Sequence, residues 1–207
     1  MRLTKHEGLG NDFLVLFDDQ ALAPGGLDAL AVRLCHRRRG VGADGLLIGV
    51  TAPAGGADIG MVLHNADGSR AEMSGNGIRC LVQAWAERTG RSEGTVKVST
   101  DAGLRAVDFG PGDREHTIVA SVAMGGAEPI AAPAGWAALG VDPGRPVAHL
   151  SLGNPHTVVA VDAVDAVDLL ALGARVPDVN LEIIEAGPER DAVTMRVHER
   201  GASLTEA

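Results

Sequence analysis

Residues 65–80 read NADGSRAEMSGNGIRC, and this stretch decides the fold. Its first part, NADGS at 65–69, is rich in the residues that favour a tight turn after a strand. Its last part, SGNG at 74–77, opens a run in which apolar residues recur with the period of a helix. The apolar face of that helix comprises Ile78, Leu81, Val82, Trp85 and Ala86. The stretch therefore predicts a strand, a turn and an amphipathic helix in succession.

The start of this helix also has the chemistry of an anion site. Gly75 and Gly77 leave backbone amides unshielded at the positive end of the helix dipole, where a substrate carboxylate would be favoured. Ser74, however, is also a good N-cap, and capping alone explains a serine at this position. Both interpretations remain open on this segment alone.

Outward from this stretch, short apolar runs bounded by turn residues predict a strand-rich chain. These runs are residues 13–17, 46–50, 59–63, 95–99, 117–122, 157–161 and 193–197. Helical periodicity is confined to residues 27–35, the helix after Ser74, and a weaker segment at 163–172. The expected class is α+β.

Composition excludes several kinds of partner. The chain has 207 residues, a net charge of −9 and only 2% aromatic residues, which argues against nucleic acid as a partner. No apolar run approaches the ~20 residues that a membrane-spanning helix needs, so no membrane partner is expected. The N-terminus lacks an apolar signal segment, and Cys35 and Cys80 form no C-x-x-C pair, so we expect a reducing cytoplasm.

Residues 40–45, GVGADG, match the G-x-G-x-x-G pattern of dinucleotide-binding loops. That pattern requires a strand before it and a helix after it, and here the predicted order is reversed. The segment is therefore expected to be a glycine-rich connection from helix to strand.

Histidines do not indicate a metal site. His64, His156 and His198 lack the spacing of metal ligands, and no metal or cofactor is expected. A hydrolase built on Ser74 and His156 is disfavoured, because the G-x-S-x-G elbow is absent.

The turn cluster at 110–113 suggests a boundary, with a first domain at 1–114 and a second at 115–207. A short internal repeat supports two related halves: the segments LGNDF (9–13) and LGNPH (152–156) both precede apolar strands. By the spacing from Asn11 to Ser74, the second half should open its own helix beyond residue 207.

Taken in order, the motifs closely resemble the diaminopimelate epimerase family along essentially the whole chain. The matching segments are GNDF (10–13), GVGADG (40–45), NADGS (65–69), GNGIRC (75–80), TDAGL (100–104), GNPH (153–156), VN (179–180) and ERG (199–201).

This resemblance implies two similar domains, each a curved, mainly antiparallel sheet around a central helix, with the active site in the cleft between them. The implied reaction is the cofactor-independent conversion of LL- to meso-diaminopimelate in lysine and peptidoglycan-precursor synthesis. Two cysteines on opposite faces of the α-carbon exchange its proton. The family's tendency to dimerise leaves a homodimer open.

The resemblance also implies the site residues by position. The implied catalytic residues are Ser74, in place of the family's first cysteine, with His156 and Glu199 close to the catalytic pair. The substrate-binding residues would be Asn11, Asn65, Gly75, Asn76, Asn154, Asn180, Glu199 and Arg200, with Gly75 and Asn76 presenting backbone amides.

Two departures from the family pattern leave alternatives. A serine hydroxyl at position 74 is far less acidic than a thiol, so proton abstraction from that face should be weak. The segment 201–207 stops before the family's second catalytic cysteine, so we expect an incomplete second domain. The alternatives are a non-catalytic amino-acid-binding relative or fragment, or a related cofactor-free amino-acid racemase.

Overall fold

The computed structural model describes residues 2–18, 26–53, 55–200 and 203–205. The chain divides into two compact units, Met1–Met124 and Gly125–Ala207. Each unit is built on its own mixed sheet with few helices, so the α+β class predicted from the sequence is confirmed.

The described residues of the first unit form eight strands and two helices. In chain order they are β1 (Thr4–Gly8), β2 (Asn11–Phe17), α1 (Gly26–Cys35), β3 (Gly45–Val50), β4 (Ile59–Asn65), β5 (Arg70–Ala71), α2 (Gly75–Thr89), β6 (Gly94–Thr100), β7 (Gly103–Pro111) and β8 (Ile118–Val122).

In the second unit, the part of the chain that the structure describes forms six strands and one short helix. They are β9 (Glu128–Pro129), β10 (Val147–Ser151), β11 (Pro155–Ala160), α3 (Leu169–Gly173), β12 (Asn180–Ala186), β13 (Val193–Glu199) and β14 (Ser203–Thr205). Single 3₁₀ turns lie at Trp136–Leu139 and Val164–Ala166.

The first sheet curls around α2. Its strand order is β1-β2-β3-β4-β6-β7-β8, with β5 paired to β4. The helix contacts β1 and β8, the two edge strands, as well as strands between them. A flat sheet could not reach one helix from both edges, so the sheet wraps it.

Alternation along β2 explains this arrangement. Phe13, Val15 and Phe17 face the core that α2 fills. Leu14 and Leu16 face the opposite side, where α1 covers them. Because successive strand residues point to opposite faces, a strand covered on both sides is apolar throughout.

The boundary between the units lies ten residues beyond the position predicted from the turn cluster. Residues 118–122 form β8, which pairs antiparallel with β7 through Ile118 and Pro111. The turn at 110–113 therefore leads into another hairpin of the first sheet, and the first unit ends at Met124 instead of at residue 114.

The second sheet repeats the topology of the first. β1–β2 and β10–β11 are antiparallel pairs, β2–β3 and β11–β12 are parallel, and β3–β4 and β12–β13 are antiparallel. The register between the parallel strands also matches: Phe13 pairs with Gly45 as His156 pairs with Asn180. His64 on β4 and His198 on β13 occupy matching positions.

The helices of the second unit differ from those of the first. The helix expected over 163–172 is broken into the 3₁₀ turn at Val164–Ala166 and α3, with Val167 extended between them. Among the described residues of this unit, none forms a counterpart of α2. Residues 201, 202, 206 and 207, within the segment expected to end an incomplete domain, lie outside the described residues.

The GVGADG segment connects α1 to β3, as predicted, and is fixed by an interlock of two carboxylates. Asp12 Oδ1 accepts a hydrogen bond from the Asp44 amide, and Asp44 Oδ2 accepts one from the Asp12 amide, both at 3.0 Å. The Arg37 guanidinium bridges them, at 2.8 Å from Asp12 Oδ1 and 2.7 Å from Asp44 Oδ1. Lys5 Nζ lies 2.8 Å from Asp12 Oδ2. The basic segment after α1 thus supplies a structural contact through Arg37.

We expect this interlock to make stability depend on pH. Burial alone would raise the pKa of Asp12, but hydrogen bonds from Arg37 and Lys5 outweigh it and hold that pKa far below its usual range. The stabilisation is present in full above the unfolded-state pKa of about 3.9 and is lost as pH falls towards the folded-state value.

Arg37→Gln should therefore lower the free energy of unfolding by about 1 kcal/mol at neutral pH, since the guanidinium is half-exposed. The difference from wild type should shrink as pH falls below 4. Urea unfolding between neutral pH and pH 3 measures this, with Arg38→Gln as the charge-matched control. An equal effect of both variants would contradict it.

Candidate active site

Ser74 caps the helix that the first sheet encloses. Its backbone is extended (φ −145°, ψ 123°), and its Oγ accepts a hydrogen bond from the Gly77 amide at 3.0 Å. The N-cap interpretation of Ser74 is confirmed. Since a helix start has more amides than one cap can satisfy, the amides of Gly75 and Asn76 are left at the positive end of the dipole.

The two glycines have different roles at this helix start. A Cβ placed on Gly75 would meet no atom within 4 Å, so the space beside this residue is open. A Cβ on Gly77 would lie 3.1 Å from the Ser74 Cβ, so Gly77 allows the cap to close. The segment combines an intact cap with an open approach for an anion.

The structure brings Asn11 and Asn76 together. Asn11 is buried at the start of β2, and its Oδ1 accepts a hydrogen bond from Asn76 Nδ2 at 2.6 Å. Its Nδ2 lies 3.4 Å from Asp44 Oδ2, which ties it to the interlock. Arg79, one turn along α2, donates to Asn76 Oδ1. Two of the predicted substrate-binding residues therefore belong to one hydrogen-bonded chain at the helix start.

Asn65 is held in the turn that follows β4. Its Nδ2 donates to Ser69 Oγ at 3.0 Å, and its backbone amide donates to the Ser69 carbonyl at 2.8 Å. Asn65 pairs with Gly45 across β3 and β4. Its predicted role in substrate binding stays a prediction.

In the second unit, His156 is held from both sides. Its Nδ1 lies 2.6 Å from Glu182 Oε1, and its Nε2 lies 2.8 Å from Asn154 Oδ1. The side chains of His156 and Glu182 are only 19% and 8% exposed. The structure therefore brings the predicted residues Asn154 and His156 into direct contact, and it adds Glu182, a carboxylate that sequence reasoning missed, on the other side of the ring.

Three further predicted residues lie near the end of β13. Asn180 begins β12, and its Oδ1 accepts a hydrogen bond from the backbone amide of Arg200 at 2.9 Å. Glu199 is the last residue of β13. Asn180 thus fixes the chain directly after Glu199, and the roles predicted for all three remain predictions.

The cysteines of the chain are poor bases. Cys35 and Cys80 are free and buried. Burial, helped by the charges of Asp12 and Asp44, raises the pKa of Cys35 to about 11, and burial with the nearby Glu7 raises that of Cys80 to about 12. Cys80 packs against Gly8: a Cβ added to Gly8 would lie 3.3 Å from the Sγ of Cys80. Both therefore serve packing.

Among the described residues, neither metal binding nor membrane spanning nor the main apolar cavity involves the predicted site residues. No group of three or more His, Cys, Asp or Glu in that part of the chain could hold a metal ion. Nor does it contain a helix that is long and apolar enough to cross a membrane. A cavity of about 400 Å³ in the second unit is lined mainly by apolar residues, among them Trp136, Leu139 and Leu172, and by none of the predicted site residues.

Comparison with known proteins places the chain in a family. A family model described as diaminopimelate epimerase matches residues 3–129. The diaminopimelate epimerase of Synechocystis sp. is 35% identical over 231 aligned residues, covering 100% of this chain and 78% of the relative. The chain belongs to the diaminopimelate epimerase family. A second relative with that name, from Pelotomaculum thermopropionicum, is 36% identical and covers 100% of this chain and 79% of its own length.

Solved structures show the same fold. A probable proline racemase from Agrobacterium radiobacter aligns with a TM-score of 0.70 at 15% identity, covering 99% of this chain and 72% of that protein. A hydroxyproline epimerase from Agrobacterium vitis aligns with a TM-score of 0.69 at 14% identity, covering 99% and 72%. At such identities the likeness concerns the fold of this epimerase-family chain alone.

Three residues around the site were missed from the sequence: Asp44, Arg79 and Glu182. A signal existed for Glu182, because a carboxylate within the apolar strand Leu181–Ile184 is costly to bury and calls for an explanation. Asp44 and Arg79 gave no such signal, since each stands in a polar context.

The cap at Ser74 predicts a specific stability effect. Ser74→Ala should lower the free energy of unfolding by about 1 kcal/mol, because the Gly77 amide loses its acceptor. Ser74→Asn, which can still cap, should stay within about 0.5 kcal/mol of wild type. Urea unfolding distinguishes these variants, and equal losses would show that the hydroxyl does not act as a cap.

Alkylation tests the burial of the two thiols. With pKa values of about 11 and 12, less than roughly 0.1% of either is thiolate at pH 8, so iodoacetamide should leave both unmodified in the folded protein. In concentrated urea both should react. Mass spectrometry counts the adducts, and fast labelling of native Cys80 would contradict its assigned role.

Proposed function

We propose that this chain interconverts LL- and meso-diaminopimelate by moving the proton of one α-carbon, without a cofactor, as part of lysine and peptidoglycan-precursor biosynthesis. The observation that carries the proposal is the match along the whole chain to curated relatives named diaminopimelate epimerase. We place the reaction in the cytoplasm, where the free thiols of Cys35 and Cys80 would stay reduced.

Substrate recognition in this proposal uses polar groups without aromatic rings. The amides of Gly75 and Asn76 bind a carboxylate of the substrate at the positive end of α2. The amide side chains of Asn11, Asn65, Asn154 and Asn180 bind its remaining polar groups, together with Glu199 and Arg200. Support comes from the open approach at Gly75 and from the contact between Asn11 and Asn76. Fixed dipoles of this kind stabilise the charge that develops on the carboxylate as the proton leaves.

Proton transfer in this proposal breaks the α-carbon–hydrogen bond and leaves its electron pair delocalised into the adjacent carboxylate. A proton then returns to the opposite face, which inverts the centre. Ser74 occupies the position of one base, with His156 and Glu199 acting near the reacting groups. Because the Ser74 hydroxyl is weakly acidic and also accepts from Gly77, abstraction from its face is the slow step.

The cap at Ser74 also favours a second candidate function, the binding of an amino acid without inversion. A serine that serves as N-cap preserves the helix start and hence the carboxylate site, whether or not it removes a proton. Binding and turnover therefore have to be measured separately.

The decisive experiment follows LL-diaminopimelate in deuterated water, recording meso product by chiral chromatography and α-deuterium by mass spectrometry. Wild type should form meso product slowly. Ser74→Cys should raise the rate at least about tenfold, because a thiol at a helix N-terminus ionises far more readily.

Ser74→Ala is the control for turnover and should lose it, while calorimetry measures substrate affinity in wild type and Ser74→Cys. Binding without product or deuterium in both wild type and Ser74→Cys would establish the binding function instead. Absence of binding as well would contradict both candidates.

A further inference from the structure

A pair of matching positions carries apolar residues in the first sheet and polar residues in the second. Counting from the first parallel pair in each sheet, Phe13–Gly45 and His156–Asn180, Glu182 stands where β3 has Leu47. Phe13 and Leu47 belong to the core around α2. In the second sheet the same two positions hold His156 and Glu182. The fold therefore does not itself require a histidine and a carboxylate there.

The burial of Glu182 is unfavourable unless something offsets it. The residue is 6% exposed, and its Oε1 contacts His156 Nδ1 at 2.6 Å. Its Oε2 is buried with no hydrogen-bond partner in the described part of the chain. A half-satisfied buried carboxylate stabilises a fold less well than the leucine at the matching position. Such a group points to a role beyond stability.

We propose that Glu182 is a positioning residue that keeps a proton on Nδ1 of His156 and so makes Nε2 the nitrogen that gains and loses a proton at the candidate active site. This inference rests on the proposed function for its catalytic meaning. Its physical basis is simple: an ionised carboxylate can only accept a hydrogen bond, so the Nδ1 that faces it must donate.

Asn154 completes the arrangement on the other side of the ring. Its side-chain oxygen lies 2.8 Å from Nε2 and accepts a hydrogen bond from a protonated Nε2. An amide also has a donor end, so rotation by 180° presents its NH₂ to a deprotonated Nε2. The ring can therefore exchange the Nε2 proton without moving, while the contact with Glu182 persists in both states.

The step assigned to His156 is balanced in protons. The doubly protonated ring donates its Nε2 proton toward the reacting groups and becomes the neutral ring with its proton on Nδ1. The reverse transfer restores the starting state. Glu182 exchanges no proton in this step and orients the ring in the way a carboxylate orients a catalytic imidazole.

The test reads the tautomer directly, without substrate. Long-range ¹H–¹⁵N spectra of ¹⁵N-labelled protein, recorded at about pH 8.5 where an ordinary imidazole is neutral, locate the ring proton of His156. Comparison with His156→Gln identifies its signals. We expect wild type to carry the proton on Nδ1. Glu182→Leu, which restores the residue of the matching position, should shift it to Nε2.

Glu185→Gln is the control, because Glu185 lies on the same strand and accepts from the Val164 amide, a bond that glutamine can keep. It should leave the His156 signals unchanged. A wild-type proton on Nε2, or an unchanged tautomer in Glu182→Leu, would overturn the proposal. A purely structural role for Glu182 would not move the tautomer.

The kinetics of α-deuterium exchange provide a second test of the role of Glu182. Glu182→Gln should lower kcat for α-deuterium exchange at least about tenfold and leave KM within about twofold of wild type. The reason is that a histidine in the wrong tautomer loses much of the rate acceleration that a general acid or base provides. Glu185→Gln should match wild type. Equal kcat in Glu182→Gln and wild type would overturn the catalytic part. Absence of exchange in wild type would refute the proposed function, while the tautomer spectra would still decide the role of Glu182.

Discussion

The burial of α2 against the concave face of the first sheet constrains the rest of that unit. Because the helix contacts both edge strands, its axis and its first residue are fixed together. Its N-terminus then has to meet the start of β2, which places Asn76 against Asn11. Apolar packing, which is itself indifferent to chemistry, thus positions the polar groups of the candidate active site.

The carboxylate interlock of Asp12 and Asp44 also positions polar groups of the candidate active site, and it does so from outside α2. Asp44 holds the amide of Asp12 and lies next to the side chain of Asn11, while Arg37 neutralises both carboxylates. An asparagine that is buried and hydrogen-bonded on both ends has little rotational freedom. This order belongs to the protein itself, so Asn11 loses little side-chain entropy in any further contact that it makes.

The two sheets share a topology and the register of their parallel pair, but they carry different side chains at the matching positions. The pair Phe13 and Leu47 builds a core in one sheet, whereas His156 and Glu182 place a titratable pair at the same positions in the other. One strand topology therefore accommodates an apolar interior in one unit and a buried titratable pair in the other.

The amino-acid sequence by itself determined the α+β class, the family and the helix-to-strand connection at 40–45, and it offered the cap at Ser74 as one of two interpretations. Those features depend on local periodicity and on hydrogen bonds between residues three or four apart, which a linear pattern records. Only the tertiary structure decided the end of the first unit at Met124 and the contacts of Arg37 and Glu182. These depend on which strands pair and in what register, and register follows from the packing of whole sheets against their helices.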